Sequence, residues 1–180
     1  MGVMVTGHRQ LVPAGHTGSP WPDSNPSVRQ HHEAITKLMM GAIAQWHRES
    51  GWVDFISGMA LGADTLFAEA VLSLKAADLP IRLICAVPFA GQESKWNAGA
   101  QARFRQIIAA ADKVEIVSPG VYAPAKMQIR NQWMVDHAMI VMAVWDGKQS
   151  GGTWNCIQYA RQRHRWMVQL HPQKLTIERM

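Results

Sequence analysis

Cysteine and long apolar runs are both scarce in this sequence. Its 180 residues include only two cysteines, Cys85 and Cys156, and two thiols cannot form the disulfide framework of a small secreted protein. No apolar run approaches the roughly 18 residues of a membrane span, and no basic-then-apolar leader opens the chain. We therefore expect reduced thiols, no membrane span and a cytoplasmic location.

Charged residues are also few, at 17% of the chain, whereas 48% of the residues are hydrophobic. A chain of this length and composition can bury the core of one domain, so we expect residues 1–180 to form a single domain. The net charge of +5 favours an anionic ligand or nucleic acid. Because the basic residues are scattered, apart from the cluster Arg161, Arg163 and Arg165, charge alone does not decide between the two.

Short apolar runs alternate with helical patterns along the chain. Apolar steps of three and four residues are typical of amphipathic helices, and continuously apolar strands are typical of parallel sheets covered on both faces. The sequence therefore predicts a single-domain Rossmann-like α/β fold, doubly wound, with a mostly parallel sheet and helices on both faces. The predicted strands are 3–6, 53–57, 81–87, 113–117, 140–145 and 166–170, and the predicted helices are 28–49, 64–77, 98–110, 125–137 and 153–164.

One segment interrupts this alternation. Residues 8–26 form a predicted loop rich in Gly, Pro and Ser after the first strand. Connections of that length in compact domains are often functional. An insertion without a function is the alternative, and the sequence leaves both open.

The first strand-to-helix junction carries an arginine. Ligands of a doubly wound sheet bind outside the carboxyl ends of its strands, so these junctions are the places to look for a site. In Thr6-Gly7-His8-Arg9, the glycine permits a tight turn, and Arg9 can pair with a phosphate or a carboxylate. An ordinary turn beside a solvated arginine is the alternative interpretation.

The second junction, Ser57-Gly58-Met59-Ala60-Leu61-Gly62-Ala63-Asp64, raises the question of what approaches the backbone at its two glycines. Bare peptide groups at a helix N-terminus form an anion cradle. Asp64 is placed to act as the N-cap of that helix. Glu69, on the helix itself, can reach a ribose hydroxyl or face solvent. The spacing does not match the dinucleotide fingerprint G-x-G-x-x-G.

Two further junctions carry candidate ligand contacts. After the third strand, Pro88-Phe89 is followed by Lys95-Trp96, whose indole can stack on a base or pack in the core. After the fifth strand, Asp146 precedes Gly151-Gly152-Thr153 at a helix start, which suits close approach of a phosphate. Thr153 is either a helix cap or a phosphate donor. The Lys-Ser/Thr ending of a P-loop is missing, so the sequence does not support triphosphate hydrolysis.

Taken in order, these junctions, with Arg130-Asn131 and Met134-Val135-Asp136, resemble the YpsA/YoqJ-like family of the SLOG superfamily. That superfamily includes the DNA-processing protein DprA (Smf) and the LOG proteins. The resemblance covers nearly the whole chain outside residues 16–26. It implies a Rossmann-like fold that binds a nucleotide or nucleotide-derived ligand, either ADP-ribose-like or a nucleoside phosphate, as a sensor or ligand-binding protein.

The LOG resemblance implies a second function, the release of a base from a nucleoside monophosphate. Arg130 matches the LOG arginine, but Cys156 stands where LOG enzymes have their glutamate, three residues after the loop threonine. A thiol cannot replace a carboxylate that stabilises a cationic, sugar-like transition state. Such an enzyme would need another carboxylate, such as Glu69 or Asp64. We interpret Cys156 as a packing residue.

The DprA resemblance implies a third function, single-stranded DNA binding through backbone amides, basic side chains and stacked tryptophans. A DNA strand needs several cations along a track, with an affinity that falls steeply as salt rises. Arg161 and Arg163 diverge by about 200° on a helix. We therefore rank DNA third, below both the ligand-binding protein and the hydrolase.

The remaining features concern metals, cofactors and self-association. His31-His32-Glu33 is not the zinc motif H-E-x-x-H, so we predict no metal and no cofactor.

Eight tryptophans and eleven methionines favour a homodimer or higher homo-oligomer, with Trp133, Met134 and Trp154 near its interface. The candidate catalytic residues are Arg130 and Glu69. The predicted ligand-binding residues are Thr6, Gly7, His8, Arg9, Ser57, Gly58, Leu61, Gly62, Asp64, Pro88, Phe89, Lys95, Trp96, Arg130, Asn131, Asp146, Gly151, Gly152 and Thr153.

Overall fold

Strands and helices alternate along the chain, as the apolar pattern predicts. The structure, a computed structural model, describes residues 1–16 and 25–180. The strands are β1 (Gly2–Gly7), β2 (Asp54–Ser57), β3 (Arg82–Val87), β4 (Lys113–Ile116), β5 (Ala138–Val144), β6 (Trp166–His171) and β7 (Thr176–Arg179). The helices are α1 (Pro26–Ser50), α2 (Ala63–Ala76), α3 (Ala98–Ala110), α4 (Ala125–His137) and α5 (Gly151–Gln162).

The strands form one seven-stranded sheet with the order β4-β3-β2-β1-β5-β6-β7. The first six strands run parallel, and β7 pairs antiparallel with β6. The chain steps from β1 outward to β4 and then returns to the other side of β1 to form β5. The order therefore reverses between β1 and β5, which is the point where open α/β sheets leave a crevice. The predicted fold class is confirmed.

Two hydrophobic cores lie on opposite faces of the sheet. The larger core packs beneath α1, α2 and α3 and includes the fully buried Phe55 and Phe67. The smaller core packs beneath α4 and α5 and includes Met134 and Cys156. In residues 1–16 and 25–180, no helix combines the length and the apolar character needed to cross a membrane.

Local capping signals explain where two of the helices begin and end. The side chain of Asn25 accepts hydrogen bonds from the amides of Ser27 and Val28, Pro26 follows at the first turn, and Gly51 closes α1 in the left-handed conformation. Asn97 caps α3 in the same way by accepting from the Ala100 amide. These side chains satisfy amides that the first helical turn leaves without a partner.

The predicted cap of α2 is wrong, and so is the cap role that was one of two alternatives for Thr153. The N-cap of α2 is Gly62, so Asp64 lies inside the first turn, and its carboxylate points instead to Arg130. The N-cap of α5 is Ser150, so Thr153 also lies inside its helix. At α2 a glycine takes the place of the usual Ser, Thr, Asp or Asn, whereas α5 follows the rule through Ser150, three residues before Thr153.

The strand β7 was not predicted from the sequence. It has only four residues, Thr176–Arg179, without an alternating apolar pattern, and it forms a hairpin with β6 through a turn in which Leu175 has a positive φ. An edge strand buries little apolar surface, so periodicity gives no signal for it.

The long segment after β1 is described in part. Leu11 is buried, at 1% exposure, and its carbonyl oxygen lies 2.7 Å from Nε2 of His32 on α1. This contact ties the segment that follows Arg9 to the body of the protein. Residues 17–24, which hold most of the predicted Gly, Pro and Ser-rich stretch, lie outside the described residues.

Candidate functional site

A cleft of about 260 Å³ opens where the strand order reverses. The loop after β1 forms one wall, the start of α5 forms the opposite wall, and α4 closes the side. Three of its lining residues, Ala60, Met127 and Ser150, were not predicted from the sequence. The lining residues are Thr6, Gly7, His8, Arg9, Ala60, Asp64, Met127, Arg130, Asn131, Ser150, Gly151, Gly152 and Thr153.

Arg130 and Asp64 form a buried ion pair at the back of the cleft. Nη1 of Arg130 lies 3.2 Å from Oδ2 of Asp64 and also donates to the carbonyl oxygen of Gly58. The two side chains are only 5% and 7% exposed. Burial raises the pKa of Asp64, and the neighbouring Arg130 guanidinium opposes that rise. Nε of Arg130 has no hydrogen-bond partner in the described structure.

The glycines of the second junction make room for protein atoms. A side chain at Gly58 would overlap the Arg130 guanidinium, and one at Gly62 would overlap the carbonyl oxygens of His8 and Arg9. The amides of Met59, Ala60 and Ala63 donate to protein oxygens. This corrects the expectation that the turn at 58–62 presents free amides to a ligand, because what approaches its backbone is Arg130 and the loop after β1.

A methyl group at Gly58 tests this packing. We expect Gly58→Ala to lower the free energy of unfolding by about 1–3 kcal/mol, because the methyl group must displace the buried guanidinium. Gly41→Ala, on the exposed side of α1 with nothing within 4 Å, is the matched control and should stabilise the protein. Urea denaturation measures both. Equal stability of the two variants would contradict this role of Gly58.

The N-terminus of α5 is open. Ser150 makes no side-chain cap, and nothing lies within 4 Å of the position that a side chain would take at Gly151 or Gly152. The first amides of a helix have no partner within the helix and carry its positive dipole end. The first amides of α5 can therefore bind an anion in the cleft.

Arg9 and His8 stand at the mouth of the cleft. Arg9 is exposed and makes no ion pair with the residues that the structure describes. Nε2 of His8 lies 3.0 Å from Oδ1 of Asp146, which joins the loops after β1 and β5. Arg9 is therefore available to a ligand, whereas the position of Asp146 is set by His8.

The residues after β3 lie elsewhere. Phe89 is 7% exposed and meets Tyr122 edge to face at 5.5 Å. Trp96 packs edge to face on Phe104 at 5.6 Å. The structure favours core packing for Trp96 over the alternative that it stacks on a base. The predicted residues that do not line the cleft are Ser57, Gly58, Leu61, Gly62, Pro88, Phe89, Lys95, Trp96 and Asp146.

The candidate carboxylate Glu69 is turned away from the cleft. It forms a bidentate ion pair with Arg103 of α3 and lines a separate groove between α1, α2 and α3. Asp64 is thus the carboxylate that lines the cleft in the described part of the chain.

Cys156 is a packing residue, as its helical context suggests. It is fully buried in the smaller core, where the Thr6 side chain hydrogen-bonds to it, and burial raises the pKa of its thiol to about 11. A thiol with that pKa stays protonated at neutral pH and is a poor nucleophile.

His32 holds the loop that carries Arg9, and this makes stability depend on pH. Burial lowers the pKa of His32 below its ordinary value of 6.5, and the nearby Arg103 and His31 lower it further. The Leu11 carbonyl and Glu69 oppose this decrease. Its Nδ1 has no partner in the described structure. Below about pH 6.5, His32 therefore binds a proton more readily in the unfolded chain than in the folded chain. As the pH is lowered, the free energy of unfolding decreases by at most about 1.4 kcal/mol per pH unit.

The matched variant is His32→Gln, whose amide can donate to Leu11 but does not titrate. We expect a smaller loss of stability between about pH 7 and pH 5 in this variant, measured by urea denaturation. An unchanged slope would show that His32 is not the group responsible.

The fold and the cleft define the class of the protein, a Rossmann-like α/β protein with its candidate site at the reversal of strand order. The sequence model of the YspA SLOG family (YpsA) matches residues 24–175. The chain belongs to the YspA SLOG family, which confirms the resemblance inferred from its motifs.

Sequence relatives cover about two thirds of the chain. The SPbeta prophage-derived protein YoqJ of Bacillus subtilis (strain 168) is 37% identical over 131 residues, which are 66% of this chain and 76% of YoqJ. The UPF0398 protein BH1768 of Halalkalibacterium halodurans is 28% identical over 116 residues, which are 64% of this chain and 61% of that protein.

Two solved structures share the fold. The chain superposes on DprA from Streptococcus pneumoniae with a TM-score of 0.59 and 16% identity, covering 93% of this chain and 49% of that one. It also superposes on DprA from Helicobacter pylori with a TM-score of 0.58 and 15% identity, covering 95% of this chain and 65% of that one. That structure addresses how the Helicobacter pylori protein binds single-stranded DNA. At these identities the likeness shows the fold alone.

Proposed function

We propose that the cleft binds the phosphate of a nucleotide or nucleotide-derived ligand. The open N-terminus of α5 carries this proposal, since Gly151 and Gly152 leave its first amides uncovered beside the cleft. Amides at a positive helix end favour an anion, and the exposed guanidinium of Arg9 adds a charge-assisted donor. Arg130 contributes positive charge from the back of the cleft.

The size of the cleft supports partial enclosure of such a ligand. Its volume of about 260 Å³ lies just below the 300–1,000 Å³ typical of ligand pockets. The phosphate and sugar would lie inside, with hydroxyl groups near Asp64 and Asn131, and the base would extend past Arg9. An ADP-ribose-like ligand would therefore leave one end outside the cleft.

The charges of the cleft support binding without turnover. A LOG-like hydrolase needs a free carboxylate beside the sugar, whereas Asp64 is held by Arg130, and Glu69 is held by Arg103 outside the cleft. Cys156 lies buried beneath the cleft. These contacts favour a sensor or ligand-binding protein over the phosphoribohydrolase alternative.

The DprA fold supports a second candidate, single-stranded DNA. However, the cluster of Arg161, Arg163 and Arg165 does not offer a DNA strand a continuous track of free cations. Arg163 pairs with Asp136, Arg161 lies over Trp154, and Arg165 donates to the carbonyl oxygens of Val135 and Asp136. We therefore rank DNA second.

The test begins with the purified full chain. We expect denaturation followed by mass spectrometry to release a nucleotide, and thermal shifts with nucleoside monophosphates to exceed those with oligonucleotides. Retention of an oligonucleotide that weakens steeply with salt, without a response to mononucleotides, would favour DNA instead. Release of free base from a nucleoside monophosphate would favour the hydrolase.

We also propose that the chain acts as a single cytoplasmic domain and associates as a homodimer. The structure does not favour the predicted interface. Met134 is buried, Trp133 stacks on His137, and Trp154 stacks on Trp145 at 5.5 Å. We therefore propose an interface on another face of the molecule.

A further inference from the structure

A groove of about 770 Å³ lies at the amino ends of β5 and β6, at the opposite end of these strands from the cleft. We call it the tryptophan groove and define it by Trp46, Trp52, Met139, Arg165, Trp166 and Arg179. The C-terminal turn of α1 forms one wall, and the starts of β5 and β6 form the other. Nothing in the proposed ligand site uses it.

The composition of the groove is that of a protein interface. Trp, Met and Arg are enriched at the centres of interfaces, and Trp and Arg supply most of their binding energy. Trp166 is 66% exposed, an unusual state for the largest apolar side chain, and the Arg179 guanidinium lies 5.6 Å from its ring centroid. Such an exposed patch marks an interaction site.

The groove contains both halves of a self-complementary contact. Trp166 projects from it, while the half-buried Trp46 and Trp52 line its hollow. It also carries both signs of charge, with Glu49 on one wall and Arg179 on the other. A two-fold interface needs this property, because residue i of one copy meets residue j of the other and the reverse.

The groove also continues into a larger open strip. A neighbouring cavity of about 510 Å³ between α1 and the hairpin β6–β7 shares Trp46, Val168 and Arg179 with it. The outer edge of β7 is not paired in the described sheet. An unpaired strand edge can pair with another chain, so the groove, the strip and this edge form one continuous surface for a second copy.

We infer that the tryptophan groove is the face through which two copies of this chain associate, with Trp166 of each copy inserted into the hollow of the other and Glu49 of each facing Arg179 of the other. The inference rests on the homodimer proposed above and is independent of the ligand.

The first test is the mass of the full chain in solution. Light scattering at micromolar concentration should give twice the 20.1 kDa of one chain. Trp166→Glu should weaken the dimer by about 30-fold or more, the effect expected of a central tryptophan. Val121→Glu, at an 87% exposed apolar position outside the groove, is the matched control and should remain dimeric. Circular dichroism checks that both variants are folded.

The second test reverses the charges. Glu49→Arg and Arg179→Glu should each weaken the dimer, and the double variant should recover it, because the pair is then restored across the two-fold axis. A purely structural role of either residue would not give this recovery. A monomeric wild type would overturn the homodimer and the groove together. A dimer that survives Trp166→Glu, or a double variant that stays as weak as the singles, would overturn the groove alone.

Discussion

Replacing Arg130 with alanine is expected to lower the free energy of unfolding by about 3–5 kcal/mol and to abolish ligand binding. The substitution leaves Asp64 as an unpaired carboxylate in a site that is almost closed to water, and removing one partner of a buried ion pair has an effect of this size. It also removes the donor to the Gly58 carbonyl. Chemical denaturation measures the loss of stability.

A double variant separates the contribution of Arg130 to stability from its contribution to binding. Arg130→Met with Asp64→Leu replaces both charges by apolar groups of similar size, which often restores stability or exceeds it. We expect this protein to be more stable than Arg130→Ala and not to bind the ligand. Wild-type stability of the single variant Arg130→Ala would contradict the ion pair, and ligand binding by the double variant would contradict the role of Arg130 in the cleft.

Gly152→Glu is expected to weaken ligand binding by at least about tenfold without unfolding the protein. The substitution is tolerated at its first carbon, because nothing lies within 4 Å of a Cβ atom placed at Gly152, and the carboxylate can compete with phosphate for the first amides of α5. Each lost charge-assisted hydrogen bond corresponds to about 1.5–3 kcal/mol. Thermal shift and calorimetric titration with a nucleoside monophosphate measure the effect.

Val121→Glu is the control for this variant. It adds the same carboxylate at an 87% exposed position that lies outside both the cleft and the tryptophan groove. Both proteins change their net charge equally, so a general electrostatic effect would weaken binding in both. Equal affinities of Gly152→Glu and the wild type would show that the amides of α5 do not hold the ligand.

The fold was predictable because its strands are buried on both faces. Runs such as 140–145 are continuously apolar only where helices cover the sheet on both sides, and the alternation with amphipathic helices leaves few topologies. The short edge strand β7 has neither signal. It takes its position from pairing with β6, which no local pattern encodes.

The cleft was predictable in part, from its loops. Arg9 and the glycines at 151–152 were found because they follow strands, and the topology brings these strands side by side. The role of Gly58 was not readable, since a glycine that admits a ligand and a glycine that admits Arg130, 72 residues later, look alike in sequence. Glu69 and Trp96 were misleading for a similar reason, because their partners Arg103 and Phe104 come from α3.

The central claim is that the cleft recognises phosphate through the open end of α5. Calorimetric titration of the purified wild-type chain with a nucleoside monophosphate and with the same nucleoside lacking phosphate tests it most directly. We expect saturable binding of the monophosphate at one site per chain and none of the nucleoside under the same conditions. Equal binding of both compounds, or binding of neither with no nucleotide released from the purified chain, would contradict the claim.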